Sequence, residues 1–119
     1  MAYEEQEAAL PYTTISTEQA KQMIETGAHV VDVREPEEWQ SGHIAQAQLV
    51  PINSKGIYLF GKALEELHLP TDKEVIFVCR SGHRSSIASE IASLLGFQKV
   101  YNLANGMIGW LDHRYPVER

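Results

Sequence analysis

The chain has 119 residues, which suits one domain and is too short for two ordinary ones. Its 44% hydrophobic and 22% charged residues are typical of a globular protein and exclude a disordered or collagen-like chain. A formal net charge of -6 disfavours nucleic acid and anionic membrane surfaces as partners, because both attract positive proteins. No apolar run approaches the ~20 residues that span a bilayer. The opening segment also lacks a signal-peptide pattern, so we expect a cytoplasmic protein.

The chain contains one cysteine, Cys79, and five scattered histidines. One cysteine cannot form an internal disulfide, and the Cys-x-x-Cys and His-Glu-x-x-His spacings of zinc sites are absent. We therefore expect no metal and no cofactor. A lone cysteine is more often a small buried hydrophobic residue than a catalyst, so its surroundings must decide between the two roles.

The first half of the chain predicts an acidic tail at residues 1–11 and then a domain at 12–119, in which strands alternate with helices. A short edge strand at 12–15 leads into a helix that Ser16 and Gln19 cap as a capping box and that Gly27 ends. Strands follow at 29–34 and 47–51, and Pro36 begins a short helical turn between them. A helix at 57–67 has one predicted apolar face, made of Leu59, Phe60, Ala63, Leu64 and Leu67.

The second half predicts a buried strand at 74–79, a helix at 84–95, a last strand at 99–103 and a short helix around 108–113. Strands that alternate with helices predict an α/β fold with a mostly parallel sheet covered on both faces. Ligands of such folds bind at the carboxyl ends of the strands. Cys79 stands at one of those ends, directly before a helix.

The segment after the fourth strand concentrates the groups that stabilise an anion. A strand-to-helix turn leaves backbone N–H groups without intrahelical partners, and the helix adds a partial positive charge at its N-terminus. Gly82 permits a sharp turn. These features favour the thiolate of Cys79 and predict a lowered pKa for its thiol and a nucleophilic role. The residues predicted to cradle the sulfur and its donor are Arg80, Ser81, Gly82, His83, Arg84 and Ser85.

The alternative is that Cys79 is a core residue beside a solvated surface turn. A loop with two arginines, one histidine, one glycine and two hydroxyls, in an otherwise acidic protein, favours the functional interpretation.

Four motifs in this order resemble the rhodanese domain family, over about residues 12–110. They are Val30-Val-Asp32-Val-Arg34-Glu35-Pro-Glu-Glu-Trp39, Ser41-Gly42-His43-Ile44 with Pro51 and Ile52 after it, the loop from Cys79 to Ser85, and Asn105-Gly106-Met-Ile-Gly109-Trp110. The resemblance implies a three-layer fold with a central sheet of about five strands. It also implies a sulfurtransferase in which Cys79 carries sulfur as a persulfide.

The resemblance further implies that Arg34 helps to bind the substrate anion, although it could equally pair with Glu35, Glu37 or Glu38. Asp32 and His43 are expected to make structural hydrogen bonds, and the glycines and tryptophans of the motifs to serve packing and turns. One departure is Ala45-Gln46-Ala47, where the family often has Pro-Gly-Ala.

The resemblance also bears on donor, acceptor and competing functions. Related phosphatases and arsenate reductases have five residues between cysteine and arginine, whereas four separate Cys79 from Arg84, which makes a phosphatase the weakest candidate. We expect a small anionic donor (thiosulfate, polysulfide or a persulfide) and a thiophilic acceptor such as cyanide, a thiol or a sulfur-carrier protein. The alternatives are a persulfide relay for a partner protein and a non-catalytic regulatory module. We expect a monomer or a weak dimer.

Overall fold

The computed structural model describes residues 10–119, so most of the predicted tail at 1–11 lies outside the described residues. Strands and helices alternate as the sequence predicts. The strands are β1 (Thr13–Ile15), β2 (His29–Asp32), β3 (Ala47–Leu49), β4 (Glu74–Val78) and β5 (Lys99–Leu103). The helices are α1 (Thr17–Glu25), α2 (Pro36–Gln40), α3 (Gly56–Glu66), α4 (His83–Leu94) and α5 (Gly106–Asp112).

The five strands form one parallel sheet in the order β1-β5-β4-β2-β3. β1 lies at one edge, as predicted, and β4 is the middle strand. β4 has a buried, mostly β-branched and aromatic sequence, which suits a strand covered on both faces. The carboxyl end of β4 therefore lies in the middle of the side of the sheet at which all five parallel strands end.

Two apolar layers cover the two faces of the sheet, as expected of a three-layer α/β fold. On one face, Phe77 and Val75 pack with Phe60 and Leu64 of α3 and with the alanines of α4. The opposite face holds residues of α1 and α5 with the alternate strand positions, namely Ile15, Ala20, Ile24, Val30, Ile76, Val78, Leu103, Met107 and Trp110. The α/β class and the layered sheet predicted from the sequence are confirmed.

Local capping explains where the first two helices begin. Ser16 accepts the N–H of Gln19 at 3.1 Å, and the Gln19 side chain accepts the N–H of Ser16 at 2.9 Å. This is the predicted capping box. Pro36 occupies the first turn of α2, where its missing N–H costs nothing.

The predicted apolar face of α3 is wrong at one position. Phe60, Gly61 and Leu64 are its buried residues, whereas Leu59 is 53% exposed. Successive helical residues are rotated by about 100°, so a face centred on these three positions leaves Leu59 on the far side. A Cβ on Gly61 would lie 3.7 Å from Ile91 of α4. Gly61 therefore lies on the face of α3 that contacts α4. The hydrophobic pattern placed Leu59 on that face because it does not register a glycine.

Candidate active site

Cys79 follows the last residue of β4 and is 1% exposed. Its Sγ accepts the backbone N–H of Gly82 at 3.1 Å and lies 3.3 Å from Ser85 Oγ. Both partners stand at the start of α4, for which Gly82 is the N-cap. The N–H hydrogen bond from Gly82, together with the positive end of the helix dipole, stabilises negative charge on sulfur.

Gly82 makes the close turn around the sulfur possible. Its φ of +99° lies in the left-handed region that side chains disfavour. A Cβ at this position would also collide with the carbonyl oxygen of Ala104, just after β5. The turn is thus fitted against β5 with no room for a side chain.

The start of α5 holds the backbone of the same loop from the other side. The N–H groups of Met107 and Ile108 donate to the carbonyls of Cys79 and Arg80 at 2.9 and 3.1 Å. A Cβ on Gly106, whose φ is +51°, would collide with both carbonyl oxygens. The Asn-Gly motif, expected to serve packing and turns, therefore fixes the peptide groups that flank Cys79.

A buried hydrogen-bond chain leads from Cys79 to β5. Ser85 Oγ donates to Asn102 Oδ1 at 2.6 Å, and Asn102 Nδ2 donates to the carbonyl of Gly82 at 3.2 Å. Ser85 is fully buried and Asn102 is 5% exposed. Asn102 thus orients both groups that contact the sulfur.

Arg84 does not stand free in the loop, because Glu38 of α2 binds it. Its Nη1 and Nη2 lie 2.8 and 2.9 Å from Glu38 Oε1 and Oε2. The hydrogen bonds from Arg84 lower the pKa of Glu38 to about 2. The pKa of Arg84 is raised, chiefly by the same hydrogen bonds, with a smaller electrostatic contribution from Cys79. Glu38 therefore offsets one of the positive charges predicted for the cradle.

Arg34 points into the domain and not into the loop of Cys79. Its Nη2 lies 2.8 Å from Asp32 Oδ2, its Nε bonds the same carboxylate, and Nη2 also donates to the carbonyl of Gly42 at 2.8 Å. The predicted pairing of Arg34 with a carboxylate at 35, 37 or 38 is wrong, since the carboxylate belongs to Asp32. Arg34 reaches only the backbone carbonyl of Glu38, at 3.3 Å. The pair thus ties β2 to the Gly-His turn.

The remaining predicted cradle residues lie at the protein surface near Cys79. Arg80, Ser81 and His83 are exposed. Ser81 also lines a cavity of about 310 Å³ together with Ile108 and His113 of the α5 region. The structure thus brings the loop residues 79–85 together at one edge of the sheet and leaves Arg34 out.

His43 makes structural contacts, as expected. Its Nδ1 lies 2.9 Å from the carbonyl of Trp39, and the two rings stack with centroids 3.5 Å apart. Its backbone exchanges hydrogen bonds with Glu118 at 2.9 and 2.8 Å.

Among residues 10–119, no group of three or more histidine, cysteine or acidic side chains is arranged to hold a metal ion. No helix in the described part of the chain is long and apolar enough to cross a membrane.

The fold and this cysteine loop define a rhodanese-type α/β domain, and comparisons with known proteins agree. Residues 16–113 match the model of the Rhodanese-like domain family, so the chain belongs to that family. It is 30% identical over 112 residues to Thiosulfate sulfurtransferase 18 of Arabidopsis thaliana, covering 87% of this chain and 82% of the relative. It is 31% identical over 107 residues to Thiosulfate sulfurtransferase GlpE of Pseudomonas aeruginosa, covering 90% of each.

A rhodanese-related protein from Thermoplasma volcanium has a similar crystal structure. The TM-score is 0.72 at 31% identity, covering 90% of this chain and 98% of that one. Some other relatives of similar identity are longer, and the chain spans 61–63% of two of them.

Sequence reasoning missed two residues of the site. The sequence pattern indicates Glu38 only as a possible partner of Arg34, and it indicates no role for Asn102. Both lie far along the chain from the loop, 46 residues from Arg84 and 17 from Ser85, respectively. One signal could have pointed to Asn102: a polar residue in an otherwise apolar, buried strand requires a hydrogen-bond partner.

Proposed function

We propose that the protein is a sulfurtransferase that accepts a sulfane sulfur on Cys79 as a persulfide and passes it to a thiophilic acceptor. The environment of Sγ carries this proposal. A thiol at the end of the middle strand meets a backbone N–H at 3.1 Å and a hydroxyl at 3.3 Å at the start of a twelve-residue helix. The Gly82 N–H and the positive end of the α4 dipole favour the thiolate and later the anionic outer sulfur of a persulfide.

The first half-reaction is attack of the Cys79 thiolate on the outer sulfur of the donor. With thiosulfate, the new Sγ–S bond forms as the S–S bond of the donor breaks, and sulfite leaves with the bonding electron pair. The Gly82 N–H and the positive end of the α4 dipole stabilise the negative charge that the transferred sulfur gains.

The second half-reaction returns the enzyme to its thiolate. An acceptor such as cyanide or a thiolate attacks the outer sulfur, its bond to Sγ breaks, and the electron pair remains on Cys79. Each half-reaction transfers one sulfur atom without an external oxidant. A sulfur-carrier protein with a thiol could serve as acceptor in the same way.

Two further observations support sulfur transfer over phosphate chemistry. The relatives named thiosulfate sulfurtransferases match the chain over most of their length. A phosphatase would also need the loop arginine to hold a phosphoryl group, whereas Glu38 engages Arg84 through both terminal nitrogens.

The intact mass of the reduced protein tests the proposal. After incubation with thiosulfate, polysulfide or an alkyl persulfide, we expect a gain of one sulfur atom, and cyanide should remove it as thiocyanate. Cys79→Ser should gain no sulfur while keeping the circular dichroism spectrum of the folded protein. Sulfur uptake by that variant would refute the role of Cys79.

The same measurement separates the competing functions. Uptake from a charged partner enzyme, with none from small donors, would favour a persulfide relay. No uptake from any source would leave a regulatory module as the better explanation. Hydrolysis of an aryl phosphate would instead support a phosphatase.

A further inference from the structure

Glu38 is paired with Arg84 of the loop that contains Cys79, and it carries a negative charge at neutral pH. We infer that Glu38 selects sulfur donors by charge, so that alkyl persulfides are better donors than the dianion thiosulfate. This inference rests on the proposed function and adds a substrate class to it.

The contact between Glu38 and Arg84 is more than the local cap of a helix. As the third residue of α2, Glu38 already completes a capping box, in which its Oε1 accepts the N–H of Glu35 at 3.0 Å. That cap requires one oxygen and no arginine. Glu38 nevertheless directs both oxygens at Arg84, and the side chains of the pair are 31% and 19% exposed, respectively. The carboxylate is thus held against the loop that contains Cys79, and the arginine that it binds is close enough to Cys79 for an electrostatic interaction.

The consequence is a loop that is less positive than its sequence indicates. Of the two loop arginines, Arg80 and Arg84, the second is neutralised by Glu38. Glu35 is also close enough to Arg84 to contribute to its raised pKa. Thiosulfate would add two negative charges next to the thiolate of Cys79. A thiosulfate ion that used Arg84 would have to displace Glu38 or lie beside its carboxylate, and like charges repel.

An alkyl persulfide avoids this repulsion. The Cys79 thiolate attacks the outer sulfur of R–S–SH, a bond forms between Sγ and that sulfur, and the S–S bond between the outer and inner sulfurs of the donor breaks. The thiolate R–S⁻ leaves with the electron pair, and the proton stays on the transferred sulfur until it ionises. The reacting donor is neutral, and even its ionised form carries only one charge. The site therefore needs no unoccupied arginine to bind it.

The variant Glu38→Gln tests the inference by removing the charge and keeping the shape. Glutamine also serves in a capping box, so α2 should form normally. We expect kcat/KM for thiosulfate to rise about tenfold at low salt, as removal of a charge near an ionic substrate does. Coulomb energy scales with donor charge, so kcat/KM for 2-hydroxyethyl persulfide, which is neutral as R–S–SH and singly charged when ionised, should rise at most about threefold.

Two control variants isolate the charge at this position. Glu38→Asp keeps the carboxylate, so thiosulfate should remain a poor donor. Glu37→Gln changes the net charge equally on an exposed neighbour of the same helix, and both donors should react within about twofold of the wild type. Thermal unfolding of each variant shows whether it is folded under the assay conditions.

Every other result of these assays would overturn either the inference or the proposed function. Equal effects of Glu38→Gln on the two donors, or no effect, would overturn the inference, as would an equal gain in Glu37→Gln. An unfolded Glu38→Gln would shift the test to the wild type, in which thiosulfate reacting as efficiently as the alkyl persulfide would overturn the inference. A wild-type protein that takes up sulfur from neither donor would instead refute the proposed function itself.

Discussion

Replacing Gly82 by alanine should disable the loop around Cys79, and a matched glycine provides the control. Gly82 and Gly96 have nearly the same backbone angle, with φ of +99° and +100°. A Cβ on Gly96 would meet nothing within 4 Å, whereas one on Gly82 would collide with the carbonyl oxygen of Ala104. The two substitutions therefore share the cost of a left-handed alanine, and only Gly82→Ala adds a collision.

The magnitudes follow from the contacts at each position. An alanine in the left-handed region costs about 1–2 kcal/mol, which is the full expected loss for Gly96→Ala. Non-bonded atoms need about 3.5 Å, so Gly82→Ala must shift the loop or Ala104 by roughly 1 Å. That shift would break the hydrogen bond from Asn102 to the Gly82 carbonyl, worth about 1 kcal/mol. We expect a loss of about 3 kcal/mol in the free energy of unfolding.

The same shift would move the Gly82 N–H, now 3.1 Å from Sγ, out of hydrogen-bonding range. Sulfur uptake should therefore slow by about 100-fold in Gly82→Ala, in line with other misplaced catalytic donors. Urea unfolding followed by circular dichroism gives the stabilities, and single-turnover uptake measured by mass gives the rate. Equal losses of stability in both variants, with sulfur uptake by Gly82→Ala within about threefold of the wild-type rate, would refute the role of the close contact between Gly82 and Ala104.

Two further predictions concern the groups around the loop. Ser85→Ala leaves the buried Oδ1 of Asn102 without its donor, which should cost about 1–3 kcal/mol in urea unfolding, whereas Ser86→Ala should change the stability by less than about 0.5 kcal/mol. The pKa of Glu38 is lowered from 4.5 to about 2 in the folded protein, so its ion pair contributes stability above about pH 4.5 that is lost as the pH falls towards 2. The stability difference between wild type and Glu38→Gln should therefore shrink from about pH 6 to about pH 3. A difference independent of pH would contradict this assignment.

The elements that local chemistry specifies could be predicted from the sequence. The capping box at Ser16, the proline at the start of α2 and the apolar run of β4 each act within a few residues, and all three form as expected. The position of Cys79 could also be predicted, because the ligand sites of parallel sheets lie at the carboxyl ends of the strands.

Contacts between distant segments could not be predicted in this way. The sequence of the loop from Cys79 to Ser85 gives its side chains but does not show which carboxylate binds them. Glu38, which binds Arg84, belongs to α2, far from the loop along the chain. The partner of Arg34 was missed for a different reason. Asp32 lies only two residues before Arg34, and a sequence pattern does not show whether two side chains so close along a strand end turn towards each other.

The position of β5 has a consequence for how the reactive thiol forms. β5 is the last strand in the chain, yet it lies between β1 and β4, and together with α5 it supplies Asn102 and the N–H groups that hold the loop of Cys79. A chain that has not yet paired β5 lacks these supports, so its cysteine should behave as an ordinary exposed thiol. Under the proposed function, the loop can hold a persulfide only after β5 has paired, so sulfur uptake should begin only when folding is complete. Pairings between distant segments form slowly, and until then the thiol is open to oxidation.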